Sequence, residues 1–565
     1  MNRFKKATGI MLAASMVFGL AACGSDNDKD TNGESSTTEK TSTETAGNTD
    51  ATSNAEAVGY TFGEDTTFHS DEPVSYSMMF SDNEGYPYKA DWRLWSAIKE
   101  KTNVSFDLTV TARTEYENQK TLLVNSGDAP FIIPKTYDES PFVAGGQIVP
   151  ISDWVQYMPN YQKAVKDWGM EEDLKAKLKD DGKYYVLPGL WEVAGGGYSY
   201  IIRKDVFEKA GVDVKANEGN WTYEDFYDAM KKVKDYTGAK YVMSDRFKGE
   251  STLNIAAVEY GVTGGWGLSN GLVFDQDQKK FNFADTTEDF KNYVTYFNKL
   301  YSEGILDPES FTQEDDAALA KFYKGDTYVI NGNYQNLADM VAKMQVPDAD
   351  LYMIVQPGGP KGQLQIEASR LENGVMISQN ALKKLGEEKF IQMLRFVDWL
   401  WYSDEGHTLS LWGVEGETYS KDADGNIKLN SDITFNGLNP TAEKKLNVDY
   451  GFGGGVFAYG GSAKLKLSKM SEGEKDYNDR ILTLRQARKV APPIMGSADD
   501  SEEMNLISKP LMDYVKTMTL KFITGQANIG TEWDSYVKQA EANGSTRYTD
   551  MANEIFEKTK SKLGY

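Results

Sequence analysis

The chain has 565 residues, of which 40% are hydrophobic and 12% aromatic, and its formal net charge at pH 7 is −24. A chain of this length exceeds one ordinary hydrophobic core, so two or more lobes are expected. The negative charge argues against nucleic-acid binding. The single cysteine excludes an intramolecular disulfide, and the presence of only two histidines argues against a zinc site.

The first 58 residues predict export and attachment to a membrane. Basic residues precede an apolar run over residues 7–22, which is too short to span a bilayer and is typical of a signal peptide. The run ends in Leu-Ala-Ala before Cys23 and resembles a bacterial lipobox, which implies cleavage after residue 22 and a lipidated Cys23. A plain signal peptide with an incidental cysteine is the alternative. Residues 23–58 are polar and predict a disordered tether, which places the protein at the outer face of the cell membrane.

Beyond the tether, strand-like and helix-like segments alternate, which predicts an α/β fold. Predicted strands cover residues 74–80, 104–110 and 131–133, the last closed by Pro134. Thr222 and Asp225 have the spacing of a capping box at a helix start. The predicted helices cover residues 91–101, 115–124, 222–234, 287–303 and 388–402.

Two later segments bear on metal and catalytic chemistry. Residues 421–426 (Lys-Asp-Ala-Asp-Gly-Asn) hint at a calcium loop, but Gly425 lies one place too early for an EF-hand, so a hairpin turn is favoured. Residues 403–407 predict an exposed helix end at His407, which argues against a catalytic triad there. We find no P-loop or dinucleotide fingerprint and expect no cofactor and no bound metal.

Several short stretches carry a family resemblance, and they are residues 126–133, 146–151, 181–188, 202–205, 221–226, 398–400, 404–406, 413–417 and 522–525. Taken in their order along the chain, they resemble the extracellular solute-binding lipoproteins of carbohydrate ABC importers (solute-binding protein family 1). Phe131 stands where the family usually has an acid. The resemblance implies a type II periplasmic-binding-protein-like fold, with two lobes, several chain crossings between them and a ligand cleft between the lobes. We expect lobe 1 at residues 59–195 with 357–410, and lobe 2 at residues 196–356 with 411–565.

The same resemblance implies a function without catalysis. We expect the substrate-binding component of an ABC transporter, a monomer that captures an extracellular oligosaccharide and delivers it to the membrane permease. A peptide or another small solute on the same fold, or a sensor subunit, is an alternative. A secreted glycoside hydrolase would need two carboxylates across a sugar bond, and no segment resembles a hydrolase motif.

Candidate ligand-binding residues are mostly polar or aromatic residues in loops next to predicted strands, where open α/β sheets bind their ligands. Trp266 lies among glycines that favour exposure of its ring, and Tyr334 resembles the family's cleft aromatic. We expect these two aromatics to contribute most, because rings stack on the apolar faces of sugars. For each candidate, a core or turn role is the alternative. The candidates are Asp82, Asn83, Tyr86, Asp128, Trp191, Trp266, Asn333, Tyr334, Arg370, Asn373 and Trp412.

Overall fold

A computed structural model describes residues 67–195, 197–267, 270–365, 370–453, 459–487, 489 and 491–565. The predicted signal peptide, Cys23 and the predicted tether lie outside these residues, so their assignment stays a prediction. Within the described part, no helix is both long and apolar enough to cross a membrane.

The strands of the described part form two larger sheets and several two-stranded pairs. Their bounds are β1 (Val74–Asp82), β2 (Val104–Ala112), β3 (Ile132–Thr136), β4 (Leu187–Leu190), β5 (Ser199–Arg203), β6 (Met243–Ser244), β7 (Leu272–Asp275), β8 (Lys280–Phe283), β9 (Val329–Gly332), β10 (Leu351–Met353), β11 (Leu364–Gln365), β12 (Leu371–Ile377), β13 (Tyr419–Lys421), β14 (Ile427–Leu429), β15 (Ile433–Thr434), β16 (Lys444–Lys445) and β17 (Gln486–Ala487).

The first sheet has the strand order β2-β1-β3-β12-β4, in which β1 is parallel to β2 and β3, and β12 is antiparallel to β3 and β4. Both faces are covered, so β1 contains the continuous buried run Met78–Ser81, as expected of a central parallel strand. The first two predicted strands are confirmed. The third continues through Pro134, which lies where β12 shifts register between Gly374 and Met376, so its missing N–H disturbs the ladder little.

The second sheet has the order β10-β5-β9-β6. Strand β5 is antiparallel to both of its neighbours, and β6 is parallel to β9. Every residue of β5 and β9 is buried, including the polar residues Ser199, Arg203 and Asn331. The carboxyl ends of β6 and β9 therefore lie at the same edge of this sheet.

The helices agree with the sequence where caps and apolar spacing are clear. Thr222 and Asp225 form the predicted capping box, and that helix extends to Thr237. The predicted helix over 388–402 begins earlier, at Gln379, with a break at Gly386. The longer helices are Arg93–Thr102, Tyr116–Ser126, Pro159–Asp167, Tyr223–Thr237, Glu250–Tyr260, Glu288–Ser302, Asp315–Lys324, Tyr334–Lys343, Gln379–Tyr402, Asp404–Trp412, Glu472–Leu484, Ala498–Ile523, Ile529–Ala542 and Ser545–Leu563; the short ones are Ser140–Val143, Glu171–Leu174, Lys204–Lys209, Val214–Asn217, Leu446–Asp449 and Ala463–Ser468.

Each sheet has its own hydrophobic core, so the chain forms two lobes. The first core joins the first sheet to the helix Gln379–Tyr402, and the second joins the second sheet to the C-terminal helices. The predicted division differs from this packing in two parts. Leu364, which the sequence prediction placed in lobe 1, packs against the second core. Buried residues between Trp412 and Leu465 belong to the first core, whereas the sequence prediction placed 411–565 in lobe 2. The remaining boundaries stay a prediction.

Two local predictions are wrong. His407 is buried within the helix Asp404–Trp412, whose residues Leu409, Leu411 and Trp412 belong to the first core. Asn373, which the sequence analysis placed among the loop residues next to predicted strands, lies inside β12, which begins at Leu371. The hairpin turn is confirmed, since β13 and β14 pair antiparallel across it and the Asp422 carboxylate accepts hydrogen bonds from the N–H groups of Asp424 and Asn426.

Candidate ligand-binding site

A cavity of about 790 Å³ lies where loops of the first lobe face the helix Tyr334–Lys343 of the second lobe. The first lobe contributes Tyr86, Trp191, Phe435 and Tyr459, among others. The volume of this cavity lies in the range of about 300–1,000 Å³ that is usual for small-molecule sites. We therefore take this cavity as the candidate site.

Trp191 is held in the cavity wall by the end of strand β4. Its N–H donates to the Arg370 carbonyl oxygen at 2.9 Å, and it forms a β-bridge with Gly461. At Gly460 the backbone has φ of +129°, and a Cβ there would lie 2.6 Å from the Leu190 carbonyl oxygen, so only glycine lets this loop lie against β4. Trp191 is 9% exposed and borders the cavity.

Two lysines surround the Trp191 ring. The Nζ atoms of Lys466 and Lys469 lie 5.0 Å and 4.8 Å from the ring centroid, within cation–π distance. Lys466 also donates to the Val193 carbonyl oxygen at 3.0 Å. Burial lowers the pKa of Lys469, while the nearby carboxyl groups of Glu474 and Glu372 act in the opposite direction.

A group of hydroxyls adjoins the same wall. Burial raises the pKa of Tyr459 well above its usual value, with further contributions from Tyr86, Tyr137 and Glu372. Burial likewise raises the pKa of Tyr86, although a hydrogen bond with Asn83 opposes the shift. These hydroxyls stay protonated at neutral pH and can both donate and accept hydrogen bonds, as the hydroxyls of a sugar require.

The second-lobe wall is built by a capped helix. The Asn333 side chain accepts a hydrogen bond from the Asn336 N–H at 3.0 Å and forms a capping box that starts the helix directly after β9. Leu337 and Met340 are buried on one face of this helix. Its opposite face lines the cavity with Ala338, Asp339, Ala342 and Lys343.

Trp266 lies in a separate aromatic group of the second lobe. Its ring centroid is 5.1 Å from that of Tyr198 and 4.8 Å from that of Phe247. A Cβ at Gly265 would collide with the Glu250 carbonyl oxygen, so glycine is required where the turn approaches the neighbouring helix. Trp266 is 44% exposed, as expected from its glycine surroundings, but it does not border the 790 Å³ cavity.

Of the predicted site residues, the structure brings Tyr86 and Trp191 together in the cavity. Asp82 and Asn83 instead hold the turn after β1, where their side chains accept from the N–H groups of Tyr88 and Gly85. Asp128 is exposed on a turn of the first lobe, away from the cavity lining.

Other predicted site residues have structural contacts. Tyr334 stacks on Tyr477, with ring centroids 6.2 Å apart. The Arg370 guanidinium donates to the Trp168 and Gly169 carbonyl oxygens and to the Asp173 carboxylate. These hydrogen bonds stabilise the conformation of residues 168–173.

The remaining two candidates are buried. Trp412 is fully buried and donates through its indole N–H to Ser468 Oγ at 3.0 Å. Asn373 is buried within β12. Neither residue lines the cavity.

The sequence analysis missed Phe435, Tyr459 and Lys469 as cavity residues. A signal was available for Tyr459, because glycines at 451, 453–455 and 460–461 surround it and allow close backbone approach. The described residues contain no group of three histidine, cysteine or acidic side chains arranged to hold a metal ion.

Comparison with known proteins gives a family match. The family model described as "Bacterial extracellular solute-binding protein" matches residues 83–400. The fructooligosaccharide ABC transporter substrate-binding protein FusA of Streptococcus pneumoniae is 21% identical, with 97% of each chain covered. Lipoprotein LipO of Bacillus subtilis is 20% identical over 57% of this chain and 63% of its own.

A solved structure supports the fold. The S. pneumoniae FusA structure in complex with kestose has a TM-score of 0.63 and 17% identity, and the match covers 86% of this chain and all of that one. The predicted type II solute-binding fold is confirmed by this likeness.

Proposed function

The chain belongs to the family of bacterial extracellular solute-binding proteins, and we propose that it captures an oligosaccharide outside the cell and delivers it to the permease of an ABC importer. The observation that carries the proposal is the cavity between the lobes, in which Trp191, Tyr86 and Tyr459 line the wall of the first lobe. Aromatic rings pack against the apolar C–H faces of sugar rings, and tyrosine hydroxyls pair with sugar hydroxyls.

The arrangement suits reversible capture. Binding with micromolar affinity requires only about 8 kcal/mol, which a few stacking and hydrogen-bonding contacts supply. Two cores joined by several chain crossings permit closure of one lobe on the other around a ligand. The name of FusA, whose match extends over nearly the whole chain, supports a carbohydrate ligand and an ABC importer.

Attachment at the cell surface follows from the N-terminal sequence. We propose that Cys23 carries the lipid and that residues 24–58 tether the monomeric lobes near the permease. A stable anchor needs two or more acyl chains, because one chain gives only marginal binding. The match to a protein named as a lipoprotein supports this placement.

The test is a binding screen followed by product analysis. Thermal-shift measurements over a panel of oligosaccharides, amino acids and peptides should show stabilisation by oligosaccharides alone, and calorimetry should then give one site per chain. Mass spectrometry of the same sugars after long incubation should recover them intact. Stabilisation by peptides and not by sugars would contradict the proposal, and so would turnover of a sugar at trace protein concentration.

A further inference from the structure

The charged residues of the cavity lining are unlike the surface of the protein as a whole. The chain has a net charge of −24, yet the charged side chains that border the cavity in the described part are Lys343, Lys445 and Lys469 with a single acid, Asp339. Three cations facing one anion make this cavity locally positive. A positive cavity in an acidic protein attracts anionic ligands and disfavours cationic ones.

In the part of the chain that the structure describes, the lysines of the cavity form no ion pair with an acid. Other lysines of this chain form ion pairs; for example, Lys183 Nζ lies 2.6 Å from a carboxylate oxygen of Asp153. Among the residues that the structure describes, the ammonium groups of Lys343, Lys445 and Lys469 form neither an ion pair nor a hydrogen bond. Lys343 and Lys445 are exposed at the rim, where water solvates them.

Lys469 differs from the two rim lysines because it is partly buried beside Trp191. Its Nζ lies 4.8 Å from the indole centroid, and Lys466 Nζ lies 5.0 Å from the same ring. A buried ammonium without a paired acid is costly, and the cost is removed when an anion enters the site. An aromatic face with two adjacent ammonium groups matches a sugar ring that carries a carboxylate.

The acids near Lys469 do not pair with its ammonium group as a ligand anion would. Glu474 interacts with Lys469 and Lys466 electrostatically, but burial raises its pKa to about 7, so its carboxyl group is only partly charged at neutral pH. Its Oε2 atom is buried and has no hydrogen-bond partner among the described residues. Glu372 also contributes at longer range but forms no ion pair with Lys469.

We propose that the cavity selects an acidic oligosaccharide, with the carboxylate of one sugar unit beside Lys469 and the ring of that unit against Trp191. This inference rests on the proposed function and narrows its ligand class. It also changes the expectation that aromatic contacts alone dominate the affinity. Charge pairing with Lys469 sets the preference, and stacking on Trp191 supplies affinity for acidic and neutral sugars alike.

The experiment compares matched pairs of sugars. Uronate trisaccharides of several linkages, and the same trisaccharides with each carboxyl group reduced to a primary alcohol, are titrated by calorimetry into the full mature chain. At least one acidic trisaccharide should bind tenfold or more tightly than its reduced counterpart, and the preference should shrink as salt concentration rises. Equal affinity within every pair that binds would overturn the inference while leaving the oligosaccharide function intact. Binding of neutral sugars with no uronate bound would overturn it as well.

Lysine variants test which side chain causes the preference for the acidic sugar over its reduced counterpart. Lys469→Met should remove most of the difference within the pair and leave the affinity for the reduced sugar nearly unchanged. Lys464→Met is the matched control, since Lys464 is exposed in the adjacent helix and does not border the cavity. If Lys469→Met does not fold, the double variant Lys343→Met with Lys445→Met should weaken the preference in the same direction. An unchanged preference in a folded Lys469→Met protein would overturn the inference. Failure of all carbohydrates to bind the parent would instead refute the proposed function.

Discussion

Replacement of Trp191 by alanine is the most direct test of the candidate site. The ring is 9% exposed, borders the cavity and has two ammonium groups within 5.0 Å of its centroid. Its removal abolishes the stacking face, and truncation of a central interface aromatic costs about 2 kcal/mol, or about thirtyfold in Kd. Because the side chain is nearly buried, we also expect the free energy of unfolding to fall by about 3 kcal/mol.

The assay has to separate affinity from stability. Circular dichroism first establishes a temperature at which the variant is fully folded, and calorimetry with the sugar that the parent binds best is then carried out below it. Tyr236→Ala is the control, since Tyr236 is 56% exposed near the end of the helix Tyr223–Thr237 and does not border the cavity. We expect the control to bind like the parent. A folded Trp191→Ala protein that binds within twofold of the parent would refute the site assignment.

Four further predictions test other parts of the molecule. Trp266→Ala should weaken ligand binding less than Trp191→Ala does, because the exposed Trp266 ring lies outside the main cavity. If calorimetry shows a larger loss of affinity for Trp266→Ala, the ligand binds beside Trp266 and not in the cavity. Asn333→Ala removes the cap of the helix Tyr334–Lys343 and should lower the free energy of unfolding by about 1 kcal/mol in urea titrations, whereas no change would contradict the capping role. Burial lowers the pKa of His407 from 6.5 to about 4, so the neutral ring contributes its full stabilisation above pH 6.5, and this contribution declines as the pH falls towards 4. In chemical denaturation, the free energy of unfolding of the parent relative to that of His407→Gln should therefore decrease over this pH range. A pH-independent difference between the two free energies would argue against a buried neutral ring. Cys23→Ala should release the protein from the membrane fraction, and unchanged membrane partition with an unmodified intact mass in the parent would rule out the anchor.

Local sequence signals predicted the elements well. Some features depend only on neighbours within a few residues and can be predicted without tertiary information. Examples are the apolar runs of β1 and β2 and the capping box of Thr222 with Asp225. The order of short motifs along the chain then identified the family, since many weak matches in one order are specific together. The predicted extent of β3 was too short, because a tertiary register shift accommodates Pro134.

The residues of the site depended on contacts between distant parts of the chain. Arg370 is polar and directly precedes a strand, as a ligand-binding residue would, but its guanidinium binds Asp173, 197 positions earlier, at 2.7 Å. Trp412 lies at a helix end, yet the first core buries it completely. Residue type and position in a loop do not distinguish a ligand contact from a long-range structural contact.

The sequence by itself determined the acidic character of the chain, its α/β elements and its family, and it predicts export. Only the tertiary structure decided which side chains meet in one cavity. Trp191, Lys469 and the helix Tyr334–Lys343 are separated by well over one hundred residues, and they converge because the chain crosses between two cores and because glycines let the 459–461 loop lie against β4. Such convergence is set by packing across the whole fold, which no local pattern of residues encodes.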